Sequence, residues 1–312
     1  MNLIPRSRSL IAASALVAAV AACGDAGLGT VATVNGDAIV VGEVTGLRNS
    51  YAGDVVNTNT EQFRTDLGNV IFLDVLVAAA EEQYDITFTE AEVRDRLANP
   101  PERYAQVFAQ VEADADLTDD AKRHQALISL IRDSVTNRLV ADDATFWDDM
   151  VGETPELLTS ACVRHVLVAT EGEAAQIIDR LQGGEDFAAV ADEVSLDTAS
   201  AGGALVDQAG ECMLPLQTYV AEFGNAAATA VVGEVSGPVQ TQFGFHVILV
   251  DRREDPPPVE VLEADPVAYL GNTEVSSLFS PWFNDVVRAA TIEIDPVVGS
   301  WSTSGVGIVP PE

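Results

Sequence analysis

Positive charge is scarce in this chain. Lysine and arginine together number 16 among 312 residues, against 49 aspartates and glutamates, so the formal net charge is −33. Such a surface repels phosphate groups and anionic lipid headgroups, which argues against nucleic acid as a partner. The same excess of negative charge either favours basic unfolded polypeptides as clients or simply keeps the protein soluble.

Long hydrophobic runs are also scarce, and the clearest one lies near the start. Residues 10–20 are almost entirely apolar, but eleven residues are too few to cross a hydrocarbon core of about 30 Å. Arg6 and Arg8 precede the run and Val20-Ala21-Ala22-Cys23 follows it, which is typical of a signal peptide with a lipobox. We therefore expect an extracytoplasmic protein, anchored to the cell membrane by a lipid on Cys23. An ordinary cleaved signal peptide with an incidental cysteine is the alternative.

Cysteine and histidine are rare as well, with three of each. If Cys23 carries the lipid, Cys162 and Cys212 remain, and two thiols in an exported chain suggest one disulfide; free buried thiols are the alternative. A zinc site would need these two cysteines together with His165 and His246. Residues three apart on a strand point to opposite faces, which argues against that site. No motif of a cysteine protease accompanies Cys162, which argues against that class of enzyme. We expect neither a metal nor another cofactor.

Two of the histidines lie in segments that are otherwise fit for buried strands. His165 lies in Val163-Arg164-His165-Val166-Leu167-Val168, and His246 lies between Phe245 and Val247 in an apolar run. The turn-forming dipeptide Gly237-Pro238 precedes the second strand. A lone histidine in such a strand is usually a satisfied core residue, so the pair needs a further reason to be functional. His124 lies among charges on a helical run and is expected to be solvated.

The residues between these two strands predict helices and signature loops. Residues 172–182 read as a helix with Ala175, Ile178 and Leu181 on one face, and residues 186–191 read as a shorter one. Three further segments follow in order: Ser195-Leu196-Asp197-Thr198-Ala199-Ser200-Ala201-Gly202-Gly203, then Met213-Leu214-Pro215, then Gly233-Glu234-Val235-Ser236-Gly237-Pro238-Val239.

In this order the segments resemble the parvulin-type peptidyl-prolyl isomerases, from about residue 162 to residue 253. The resemblance implies a four-stranded antiparallel sheet flanked by helices. It also implies catalytic roles for a polar set of residues: His165, Asp197, Thr241 and His246. The proline-binding pocket would be formed by a second, apolar set: Leu205, Met213, Phe223 and Phe243. The alternative for Met213 is a purely structural role, in which its side chain fills the core.

The chain departs from the parvulin pattern at the wall of this pocket. Ala204 and Val206 replace the usual aspartate and glycine on either side of Leu205, and Gln217 replaces an aromatic residue. The spacing from Met213 to the pocket phenylalanine is also one residue longer than the family pattern. These departures put activity in question more than fold.

The chain is too long for an isomerase alone, and 47% of its residues are hydrophobic, enough for a second core. Residues 31–40 read as two strands joined by an Asn35-Gly36 turn, followed by a helix near Val41. Further helices are expected at about 60–84, 89–98, 101–113 and 118–149. Residues 275–289 predict a late helix and residues 291–296 a late strand. This arrangement resembles the exported foldases of the SurA and PrsA type.

We therefore predict an α+β protein in which a parvulin domain is inserted into a helical chaperone domain like the N-terminal domain of SurA. Proline-marked linkers near residues 154–155 and 256–258 set the limits of the insertion. The expected segments are 1–22 (signal peptide), 23–30 (lipid-anchored linker), 31–155 (chaperone domain), 160–254 (parvulin domain), 259–300 (helix and strand rejoining the chaperone domain) and 301–312 (tail).

The function that follows is prolyl isomerisation and chaperoning of unfolded or newly exported polypeptides. One alternative keeps the fold but uses the parvulin domain only to bind peptide. Another, a solute-binding lipoprotein, leaves the two histidine strands unexplained.

Overall fold

A computed structural model describes residues 29–52, 56–302 and 307–311. The strands are β1 Thr30–Val34, β2 Asp37–Val40, β3 Ser160–Val168, β4 Leu214–Pro215, β5 Val235–Thr241, β6 Gly244–Glu254, β7 Ile292–Ile294, β8 Ser300–Ser302 and β9 Gly307–Val309. The helices are α1 Val41–Thr45, α2 Glu61–Tyr84, α3 Glu90–Ala98, α4 Glu102–Ala113, α5 Asp119–Asp142, α6 Phe146–Glu153, α7 Glu171–Gln182, α8 Phe187–Val194, α9 Ala221–Thr229, α10 Val259–Ala264, α11 Pro266–Tyr269 and α12 Asn272–Ala289. Cys23 and the expected signal peptide lie outside the described residues.

The described chain divides into two compact units. Unit 1 contains the residues up to Leu139 together with those from Asn272 onward, and unit 2 contains Val140–Gly271. None of the described helices combines the length and the apolar character that a membrane span requires.

Unit 1 is built around a three-stranded antiparallel sheet in the order β2-β1-β7. Asn35 and Gly36 have φ angles of 54° and 91°, the left-handed conformations that a two-residue hairpin turn requires. Helix α2 begins at the Thr60 cap, whose hydroxyl accepts a hydrogen bond from the Phe63 amide at 3.1 Å. Its apolar face packs into the core of the unit together with residues from the hairpin, α1, α5 and α12.

Two details of unit 1 differ from the sequence-based expectation. The helix expected over residues 118–149 is broken, because the Asp143 carboxylate accepts hydrogen bonds from the Thr145 amide and hydroxyl and replaces the helical pattern. The helices α5 and α6 result. The prediction that His124 is solvated is wrong. Its Nδ1 is buried without a hydrogen-bond partner, and burial lowers the pKa of the ring to about 4.

Unit 2 contains a four-stranded antiparallel sheet in the order β4-β3-β6-β5, so the predicted α+β fold is confirmed. Alternate residues of the central strands enter two different apolar clusters, because side chains alternate between the faces of a strand. One cluster packs α7 and α8 against the sheet, and the other packs α9 against it. On α7 the buried residues are Ala174, Ile177 and Leu181. Of the three residues that the sequence predicted on this face, Leu181 is buried, Ile178 is half-buried and Ala175 is exposed.

Candidate active site

The two strand histidines lie on the sheet face that α9 covers. On β3, His165 has the same orientation as Val163, and on β6, His246 has that of Ile248; both apolar residues belong to the cluster that packs on α9. His165 lies opposite Ile248 in the ladder, so the two histidines are diagonal neighbours. Their rings stack with centroids 5.3 Å apart, and their Nδ1 atoms are 3.1 Å apart. Both side chains are buried.

Asp197 closes one end of this pair. The chain leaves α8 at Val194, and the carboxylate then lies with Oδ2 at 2.8 Å from Nε2 of His165. The Ser200 hydroxyl donates to the same oxygen at 2.7 Å, and the Ala199 amide donates to Oδ1 at 3.0 Å. Burial raises the pKa of the Asp197 carboxyl, but these hydrogen bonds outweigh burial and hold the pKa below its ordinary value. The carboxylate is therefore ionised at neutral pH.

Thr241 closes the other end. Its Oγ1 lies 2.8 Å from Nε2 of His246 and accepts a hydrogen bond from the Phe243 amide at 3.1 Å. The β5–β6 turn that sets this geometry needs Gly244, whose φ is 136° and whose position leaves no room for a Cβ beside the Val168 carbonyl. Burial, helped by the neighbouring histidine, lowers the pKa of the His246 ring to about 4 even though the Asp197 charge opposes the shift.

The protons of this chain of hydrogen bonds have only one consistent arrangement when both rings are neutral. An ionised carboxylate only accepts, so Nε2 of His165 donates to Asp197 and its Nδ1 accepts. Nδ1 of His246 must then donate, which leaves its Nε2 to accept from the Thr241 hydroxyl. Every polar proton of the four side chains is thus directed along the chain.

An aromatic wall lies beside the two histidines. The Phe223 ring on α9 makes edge contacts with both rings, at centroid distances of 5.6 Å to His165 and 5.1 Å to His246. Tyr219 packs on Phe223 at 5.2 Å, and Leu205 is half-buried in the same cluster. These side chains form an apolar surface above a polar floor.

Two further residues of the expected pocket lie outside this apolar cluster, and their role in binding proline stays a prediction. Among the described residues, the cluster around Phe223 contains Leu205 but neither Met213 nor Phe243. Met213 is half-buried in the segment before β4, and Phe243 is 62% exposed in the β5–β6 turn, where no other layer packs over it.

Sequence reasoning missed two residues of this site. Ser200 follows Asp197 by three residues, the spacing at which a hydroxyl can reach back to an aspartate, and that spacing was the available signal. Tyr219 supplies an aromatic side chain next to Phe223, where Gln217 has none. The spacing from Met213 to Phe223, one residue longer than the family pattern, was the signal that the aromatic position had moved. Gln217 itself is exposed.

A covalent link lies next to the site. Cys162 on β3 and Cys212 before β4 are joined as a disulfide across 50 residues of sequence. Among the described residues, no cluster of three or more histidine, cysteine, aspartate or glutamate side chains has a geometry that could hold a metal ion.

The part of the chain that contains this site is similar to known proteins. The rotamase family model, described as the PPIC-type PPIASE domain, matches residues 164–252. Foldase protein PrsA of Caldanaerobacter subterraneus subsp. tengcongensis is 37% identical over 134 residues, which are 43% of this chain and 42% of that protein. The chain thus spans less than half of that relative. Foldase protein PrsA of Clostridium acetobutylicum is 29% identical over 243 residues, 71% of each chain.

A crystal structure of the peptidylprolyl isomerase PrsA from Bacillus cereus is 22% identical, covers 72% of this chain and 82% of its own, and has a TM-score of 0.45. The resemblance to parvulins that the sequence suggested is confirmed by the family match. Residues 164–252 belong to the PPIC-type parvulin family, in a chain that is similar to the PrsA foldases.

Proposed function

We propose that this protein is an extracytoplasmic foldase. Its parvulin domain catalyses cis/trans isomerisation of X-Pro bonds, and its helical unit holds unfolded segments of exported polypeptides. The observation that carries the proposal is the unbroken hydrogen-bond chain from Asp197 through both histidines to Thr241, which lies against the Phe223 ring.

The reaction requires no covalent intermediate. Resonance holds the X-Pro amide planar behind a barrier of about 18–20 kcal/mol, so a catalyst must weaken that resonance. The twisted amide has less charge separation than the planar one, and water stabilises the planar form better. A proline ring held against Phe223, Tyr219 and Leu205 would be removed from water together with its amide. This loss of solvation favours the twisted form.

The polar floor would orient the amide without exchanging protons with it. Isomerisation moves no proton, and the protons of the four floor side chains are already donated within the chain. The floor therefore contributes fixed dipoles and the charge of Asp197. A negative charge near the amide oxygen would disfavour the resonance form in which that oxygen is negative, and so would lower the barrier.

The rest of the chain fits a protein that works on unfolded clients outside the cytoplasm. We assign residues 1–22 to a signal peptide, Cys23 to a lipid anchor, 160–254 to the isomerase and the flanking segments to the chaperone domain. The net charge of −33 supports basic polypeptide segments as clients and argues against nucleic acid.

A prolyl isomerisation assay without a coupling protease tests the proposal directly. The lipid-free mature protein is added to a peptide with a single X-Pro bond, and the cis-to-trans rate is followed by fluorescence or NMR. We expect a rate above the spontaneous one that rises linearly with protein concentration. A spontaneous rate in the presence of protein that is folded by circular dichroism would refute catalysis. Peptide binding in that sample would then identify a non-catalytic chaperone.

A further inference from the structure

Arg252 directs its guanidinium at a disulfide instead of a carboxylate. Its Nη2 lies 3.3 Å from Sγ of Cys162 and 3.7 Å from Sγ of Cys212. Among the described residues it forms no ion pair, whereas the adjacent Arg253 pairs with Asp255 at 2.6 Å. The guanidinium thus places a positive charge beside both sulfurs.

A β-bulge creates this arrangement. Val163 pairs with Val250, but the next residue, Cys162, pairs with Arg252, so Asp251 has no partner in the ladder. A regular ladder would have placed Asp251 opposite Cys162, where its carboxylate would repel a thiolate formed on that cysteine. The bulge instead brings a cation to the sulfur.

The two sulfurs differ in how solvent reaches them. Cys162 lies on the second strand of the sheet and is 3% exposed. Cys212 is half-buried in the segment that leads to β4, directly after exposed residues. A thiolate arriving from solution therefore meets Sγ of Cys212 first, and Sγ of Cys162 becomes the leaving group.

We propose that the Cys162–Cys212 disulfide is a thiol-exchange site whose reaction partners are thiolates, either small thiols or cysteines of unfolded polypeptides. The incoming thiolate attacks Sγ of Cys212, a new S–S bond forms, and the bond to Cys162 breaks. The electron pair leaves on Sγ of Cys162, and the Arg252 guanidinium stabilises this thiolate. A second thiolate then attacks the incoming sulfur of the mixed disulfide, releases its oxidised dimer and leaves Cys212 as a thiolate.

Exchange would also free the segment that contributes Leu205 to the apolar wall. Contacts of that segment with β3 include the disulfide, the two residue pairs of β4, the bridge between Arg164 and Ala204, and a hydrogen bond of 3.0 Å from the Leu205 amide to the Val163 carbonyl. Opening the disulfide removes the only covalent one among them.

The test uses the oxidised, lipid-free mature protein and reduced glutathione. Samples are quenched in acid, alkylated and analysed by peptide mass spectrometry to give the exchange rate and the position of the adduct. We expect the glutathione adduct on Cys212. We expect Arg252→Gln to slow its formation about 3- to 10-fold, because the leaving thiolate loses its cation, and Arg253→Gln to leave the rate within about 2-fold. A second arm with a cysteine-containing unfolded peptide identifies the faster class of partner.

Equal rates for the two arginine variants, or an adduct mainly on Cys162, would overturn the proposal. If Arg252→Gln does not fold by circular dichroism, the pH dependence of alkylation in the reduced wild type decides. We expect an apparent thiol pKa clearly below the ordinary value of about 8.5, and a value at or above it would contradict the role of Arg252. Prolyl isomerisation is not measured in these assays, so their failure leaves the proposed isomerase untouched.

Discussion

At the scale of single residues, the polar floor depends on one charged side chain. Asp197 determines which nitrogen of His165 carries the proton, and that choice determines the tautomer of His246 and the direction of the Thr241 hydroxyl. A change at one end of the chain is therefore transmitted to the other end. The same logic explains why Ser200, which touches only Asp197 among these side chains, matters for the whole floor.

Asp197→Asn tests this dependence. An amide can donate as well as accept, so the proton arrangement is no longer unique, and the charge is lost. We expect isomerisation to slow by about 10- to 1,000-fold, equivalent to about 1.4–4 kcal/mol of barrier. The control is Asp179→Asn on the exposed surface of α7, which should retain the wild-type rate. Equal rates for both variants would exclude a role for the carboxylate.

The pH dependence of the site follows from His246. Its pKa is lowered to about 4 by burial, from an ordinary value of 6.5, so the folded ring stays neutral between these pH values. We expect the isomerisation rate to fall around pH 4, where a protonated Nε2 of His246 can no longer accept from Thr241. In the same window the unfolded chain binds a proton that the folded chain does not, so this histidine lowers the free energy of unfolding as the pH falls.

Histidine NMR titration measures the same midpoint directly. The His246 signals should titrate near pH 4. A His124→Gln variant removes the other ring with a similarly low pKa, and so isolates the signal of the site. A midpoint near 6.5 would contradict the burial and hydrogen bonding described above.

At the scale of elements, the alternation of side chains between the two faces of β3 and β6 could be predicted from the sequence. Both histidines lie in strands as predicted, and the register of β3 with β6 brings them to one face of the sheet, as the resemblance to parvulins implied. Side chains in irregular segments could not be placed in this way. Met213 and Phe243 were matched to the pocket by sequence order alone, but a loop and a hairpin turn have no period that determines where a side chain points.

The ends of the helices also include some that the sequence predicts and some that it does not. The Thr60 and Thr170 caps mark helix starts by local hydrogen bonds that the sequence reveals. The break at Asp143 depends on competition between a side chain and the helical backbone, and apolar periodicity cannot detect that competition. The bulge at Cys162 is likewise invisible in the sequence, since it depends on the register with Arg252.

Removing the disulfide should destabilise unit 2, by an amount that grows with the logarithm of the length of the loop that it closes. For a separation of 50 residues, the double variant Cys162→Ala and Cys212→Ala should lose about 2–4 kcal/mol of unfolding free energy. Chemical denaturation of the oxidised wild type and the variant gives the difference. Wild type kept under reducing conditions serves as the control and should lie near the variant. An unchanged midpoint would argue that the bridge does not form in solution.

At the scale of the whole molecule, unit 2 is continuous in sequence and unit 1 is not. The three-stranded sheet of unit 1 joins β1 from the start of the described chain to β7 from its end. A second domain inserted between them is consistent with the foldase arrangement that the sequence suggested. The limits of that insertion in solution remain a prediction.

Deletion of residues 140–271 tests the insertion. With a short glycine-serine linker in their place, unit 1 retains its core residues, so we expect a folded helical protein that still suppresses aggregation of an unfolded client. Circular dichroism and light scattering measure the two properties, with the full chain as reference. A coil-like spectrum for the deletion variant would show that unit 1 depends on unit 2.

Membrane anchoring is the other prediction at this scale. Protein expressed with its own N-terminus should enter the detergent phase in a detergent-partition experiment, because acylation of Cys23 adds a hydrophobic chain. Cys23→Ala should remain in the aqueous phase. Wild-type protein that stays aqueous with a free Cys23 thiol would contradict the lipobox interpretation.

The pairing of β1 with β7 also sets an order of events during export. Asn35 and Thr291 share hydrogen bonds across 256 residues, so in a chain that emerges N-terminus first β1 waits with one open edge until nearly everything else has crossed. Every strand of unit 2 has emerged by residue 254. The isomerase would therefore be complete before its own framework closes.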